Sequence, residues 1–135
     1  MLLLLLIEED LVLKQELLSS LGSLIDANQV DIQSYQKKIN VILIKDINSN
    51  NLNVQKLCIM VIGKLATVTK QLDSELLHKL IQVGTNANSN RTIRREICLL
   101  VDCIEDSCKS LNHIKLYKQK IYLANLNLNS DEELT

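Results

Sequence analysis

An internal period of about 41 residues restricts the fold of this chain more than any other feature of its sequence. "LGSLI" at Leu21 to Ile25 returns 41 residues later as "IGKLA" at Ile62 to Ala66. After a further 39 residues, "VDCIE" at Val101 to Glu105 keeps the apolar positions and puts Asp102 where the glycine stood. Around these segments apolar residues recur every three or four positions, as in Leu13, Leu17, Leu21 and Leu24, which is the spacing of one helix face. A second set of segments keeps the same interval. "YQKKINVILIKDINSN" from Tyr35 resembles "YKQKIYLANLNLNSD" from Tyr117, and "LLHKLIQVGTNANSN" from Leu76 lies between them. Each copy ends in a similar loop: Asn48-Ser49-Asn50, Asn88-Ser89-Asn90 and Asn129-Ser130-Asp131.

Each unit therefore predicts two helices and a loop. Unit one gives helices over 10–26 and 31–47, unit two over 52–69 and 74–84, and unit three over 92–108 and 111–128. Asp31 and Ser74 stand at the N-terminal boundaries as capping residues. Three glycines and no proline leave too few turn residues for a β-sandwich, and Leu, Ile and Val with no Phe or Trp suit a core of stacked helices, so the expected class is all α. At 135 residues, 47% hydrophobic and 23% charged, the chain has the size and composition of one globular domain. Its expected divisions are repeats at 10–51, 52–91 and 92–130. Residues 1–9 read as the end of a partial preceding repeat, and 131–135 as an acidic tail or the start of a further one.

"NVQKLCIMVIGKLA" at Asn53 to Ala66 resembles the first helix of a HEAT unit, with a basic residue followed by a branched-aliphatic, glycine, leucine segment. "TIRREICLLVDCIE" is similar, with Arg94 and Arg95 in the basic slot, and Lys14 lies near that slot in unit one. The resemblance extends over essentially the whole chain. It departs from the family in lacking a proline in the first helix and in closing its units with Asn-Ser-Asn. Membership of the HEAT/armadillo-like group implies a short α-solenoid that acts as a non-catalytic protein-interaction scaffold or adaptor, alone or as part of a longer array. It also implies that the second helices line a concave face.

On those second helices Lys38, Lys79 and Lys120 occupy equivalent positions, with Lys37 and His78 one column earlier and Lys118 nearby. By the resemblance they form a basic ladder suited to an acidic segment of a partner protein, although lysine also serves simply to solvate a helix face. Arg94 and Arg95, with Arg91, form a second basic cluster at the start of unit three. The formal net charge of -1 supplies no bulk field for phosphate neutralisation, so binding of nucleic acid or another acidic ligand by the lysines is the alternative to protein binding. His78 and His113 lie in different units, without the spacing of a triad or metal site, and no glycine-rich phosphate loop occurs. The expectation is no catalysis, no cofactor and no metal.

Cys58, Cys98, Cys103 and Cys108 read as reduced, buried thiols of a cytoplasmic or nuclear protein. Asn90-Arg91-Thr92 matches the glycosylation triplet, for which the N-terminus offers no secretory route. "MLLLLLI" is too short to span a bilayer, and Glu8, Glu9 and Asp10 follow it where a signal peptide would have its cleavage site. In the repeat register it aligns with the last turns of a second helix. The expected role is packing surface, open to stacking on another copy or a partner.

Overall fold

The computed structural model describes residues 4, 8–27, 31–86 and 88–107, the last three as backbone only. The expected helix over 111–128, the acidic tail and most of the leucine stretch lie outside the described residues. Leu4 is helical and half exposed. All of the regular structure described is α-helix: α1 Leu11–Asp26, α2 Ile32–Asp46, α3 Leu52–Thr69, α4 Ser74–Thr85 and α5 Arg91–Ser107.

The boundaries follow from side chains that satisfy the free N–H groups of each first turn. The Asp10 carboxylate accepts from the amides of Val12 and Leu13 at 2.9 and 3.2 Å, so Asp10 caps α1 from outside the helix. Asn51 accepts from Val54 N–H at 3.1 Å, and Asp73, the residue before Ser74, accepts from Leu76 N–H at 3.2 Å. Asn90 accepts from Thr92 N–H at 2.8 Å, so the residue of the apparent glycosylation triplet is bonded into the start of α5. Asp31 instead accepts from the Ser34 hydroxyl at 2.6 Å and makes no backbone cap. At the other end of α3, Lys70 adopts the left-handed conformation (φ 55°) that closes the helix.

The first helices of the units form one row, α1 against α3 and α3 against α5. The second helices α2 and α4 lie against each other as a second row. Between the rows, the close backbone approaches are α2 with α3 and α4 with α5, so the tightest hairpins in space bridge consecutive units. The sequence places its hairpins within units. Cys58 shows why α3 can come so near to α2: its thiol is small enough to sit on the α2 backbone and donates to Leu43 O at 3.3 Å. Between the rows lies a continuous aliphatic core that includes Leu18, Ile25, Ile39, Leu43, Ile62 and Leu80. Each such side chain, fully buried, contributes about 2 kcal/mol.

Glycine has a specific use in the first row. A Cβ on Gly22 would stand 3.2 Å from Met60 Cε on α3, and one on Gly63 would stand 3.0 Å from Leu100 Cδ1 on α5. The two repeated glycines are the points of close approach between successive first helices.

Candidate functional site

The second row carries four of the eight residues that the sequence offers for partner binding. On α2, Lys37 and Lys38 are exposed. On α4, His78 is exposed and Lys79 is half buried. α2 packs beside α4, and in the repeat register Lys38 is equivalent to Lys79 and Lys37 to His78. Exposed Lys45 extends the basic surface about two turns further along α2, past Val41, which is 55% exposed. Within α2 the one acidic residue, Asp46, is buried, and within α4 the one acidic residue is Glu75. The His78 ring nitrogen Nε2 lies 3.2 Å from Gln82 Nε2. Lys118 and Lys120, which would continue the columns, lie outside the described residues, as do His113 and Cys108.

Arg94 is not a surface residue. It is only 5% exposed, whereas Arg95 and Arg91 are exposed. Its column explains the difference: Arg94 is equivalent to Lys14 on α1 and Gln55 on α3, and both of those side chains reach the C-terminal end of α2. Lys14 Nζ donates to Asp46 Oδ1 at 2.6 Å, with both side chains less than a tenth exposed. Gln55 Nε2 donates to the Ile47 carbonyl at 2.9 Å. On α1 and α3 this column thus holds a long polar side chain that ties a first helix to the end of α2. Contrary to the expectation of a partner-binding residue, Arg94 is buried and offers a partner no side-chain surface. The signal for this pair in the sequence is Asp46 itself, a carboxylate among the aliphatic residues of "VILIKDI".

Burial pushes the Asp46 carboxyl above the usual carboxylate range, while its hydrogen bond from Lys14 and the charges of Lys14 and Lys45 pull it back. Burial prevails because the second oxygen, Oδ2, is enclosed with no hydrogen-bond partner. Burial also raises the Cys58 thiol well above its ordinary value, and the nearby Asp46 charge raises it further, so Cys58 stays protonated and unreactive at neutral pH. The other cysteines do not share that environment. Cys98 is half buried against the core and Cys103 is exposed. Five residues turn a helix through about 140°, which carries Cys103 out of the core.

Two open clefts lie away from the lysine face. One, of about 510 Å³, runs along α3 and α5 and is lined by Lys56, Met60, Lys64, Leu99 and Cys103 among others. The other, of about 430 Å³, lies between the start of α2 and the end of α3, lined mainly by Asp31, Gln33, Gln36, Thr69 and Gln71. Neither lining brings a nucleophile to a histidine base. Among the described residues, no three His, Cys, Asp or Glu side chains gather as a metal site would require. Lys64 at the first cleft is paired with Asp26. By length and composition α3 could cross a membrane, with a mean hydropathy of 1.3, but it packs against α1, α2 and α5 and much of its apolar surface lies in those contacts.

No protein-family model, no curated protein and no solved structure matches the chain.

Proposed function

We propose that the protein is a non-catalytic interaction scaffold, a short HEAT-like α-solenoid that binds an acidic segment of a partner protein along α2 and α4. The observation that carries this reading is the alignment of Lys37 and Lys38 with His78 and Lys79 on two adjacent helices whose exposed faces hold a single carboxylate. An isolated exposed lysine is solvated and binds little. Positive side chains repeated at one register along neighbouring helices sum their attraction for an extended negative segment, and salt weakens that attraction. Lys79 is half buried, which restricts its side chain more than that of a fully exposed lysine. The two-row packing supports the solenoid part of the reading, because each row can in principle be extended by further units.

The test is an affinity pull-down from cell extract with the wild type beside a variant carrying Lys38→Glu, Lys79→Glu and Lys120→Glu. The reading expects specific partners that the wild type retains at low salt and the variant loses. Recovery of the same partners by both, with equal resistance to salt, would sink it. Partners released by nuclease treatment would instead point to a nucleic-acid ligand on the same lysines.

A further inference from the structure

Among the described residues of α2 and α4, Val41 is the aliphatic side chain most open to solvent, and it stands among lysines. Exposed Lys37 precedes it by four residues and exposed Lys38 by three, while Lys45, whose charge also acts on Asp46, follows it by four. Residues three and four apart share one helix face, with Cβ atoms about 5–6 Å apart. The apolar stems of Lys37 and Lys38 are therefore within reach of the valine, and their ammonium groups can stay in water. An exposed valine alone is ordinary. Here it gives the basic face of α2 an apolar centre.

The same columns of α4 are filled differently. His78 and Lys79 stand at the positions of Lys37 and Lys38, and the column of Val41 holds Gln82. Gln82 is exposed, and its amide nitrogen lies 3.2 Å from the His78 ring. Of these two helices, both carry lysine in the ladder column and only α2 carries an apolar residue in the column of Val41. The difference matters for a segment held by charge. Attraction between lysines and carboxylates is long-ranged and weakly directional, so a basic column that repeats from helix to helix lets an acidic segment bind in more than one register. An apolar contact acts only where the surfaces touch, and it removes that degeneracy.

We infer that Val41 sets the register and the sequence preference of the lysine face: the segment taken from a partner protein carries an aliphatic residue among its carboxylates, which covers Val41 while the carboxylates face Lys37, Lys38 and Lys79. This rests on the reading of α2 and α4 as the site of an acidic segment, and it narrows that segment to one interrupted by leucine, isoleucine or valine. An uninterrupted acidic run would lay a carboxylate over Val41, which desolvates the charge with no hydrogen bond in return.

The experiment is fluorescence anisotropy with two labelled glutamate-rich peptides that differ only in a central leucine or serine, each titrated with the full chain. The proteins are the wild type, Val41→Gln, which places the α4 residue of that column on α2, and Lys38→Glu/Lys79→Glu, with circular dichroism as the check of folding. The wild type should bind the leucine peptide about fivefold tighter than the serine peptide, through partial burial of two aliphatic side chains. Added salt should weaken both complexes and preserve their ratio, because the apolar contact is not screened. In Val41→Gln the preference should vanish, with the serine peptide bound as by the wild type. Equal binding of the two peptides by the wild type, lost in the lysine variant, would overturn the inference and leave the acidic-segment reading standing. A leucine preference that survives in Val41→Gln would also overturn it. Binding of neither peptide would remove both.

Discussion

Lys14→Met leaves Asp46 enclosed with neither oxygen bonded to a cation. The Asp46 side chain is 4% exposed and Oδ2 already lacks a partner, so solvent cannot take the place of the ammonium. Breaking a buried pair from one side costs about 3–5 kcal/mol. Asp46 can lower that cost by taking up a proton, since burial has already raised its carboxyl. We expect Lys14→Met to lose about 3 kcal/mol at pH 7, and less as the pH falls toward 4. The double variant Lys14→Met/Asp46→Leu should recover most of the loss, because two apolar side chains of similar volume need no partner. The wild type carries a smaller signature of the same group. A carboxyl with its folded value above 3.8 binds more protons folded than unfolded, so its contribution is greatest in acid and declines as pH rises from 3.8 through the folded value. This runs opposite to ordinary acid unfolding. Urea titrations followed by far-ultraviolet circular dichroism at several pH values measure all three proteins. A single variant within about 0.5 kcal/mol of wild type, or a double variant as unstable as the single, would refute the reasoning.

Other parts of the structure give independent expectations. Gly63→Ala should shift stability by less than about 1 kcal/mol, because the gain in helix propensity offsets the displacement of Leu100, whereas Gly63→Leu should cost about 2 kcal/mol or more in thermal melts. Lys70→Gly should stabilise by about 1 kcal/mol, since glycine adopts φ 55° without the strain of a Cβ; unchanged melting would show that Lys70 is not strained. Alkylation followed by peptide mapping should modify Cys103 rapidly in the folded protein and Cys58 only on unfolding, and fast labelling of Cys58 would contradict its burial.

Periodicity made the described helices legible to within one residue at either end, whereas the caps read from the sequence differ: Asp31 makes no side-chain cap and Asp73, not Ser74, caps α4. The glycine at the centre of the repeated segment and the aliphatic columns around it marked the first row. Arg94 and Cys103 were read on the wrong side of the surface for one reason: the repeat fixes the angle of a residue on its helix but not which neighbouring helix covers that angle. The basic residues of its segment suggest an exposed cation at Arg94, which the structure buries. In the same column Lys14 and Gln55 reach the C-terminal end of α2, and Arg94 is buried. The apolar run around Cys103 suggests a core thiol, yet it emerges beside exposed Leu99. The asparagines were read only as loop residues, and Asn51 and Asn90 prove to be helix caps.

The most direct test of the scaffold reading is a titration of a partner recovered by the wild type against the wild type and against Lys38→Glu/Lys79→Glu, each at low and high salt. The account predicts tight binding by the wild type at low salt, weakened at high salt toward the level of the variant, with both proteins equally folded. Equal affinity of the two proteins at low salt would contradict it.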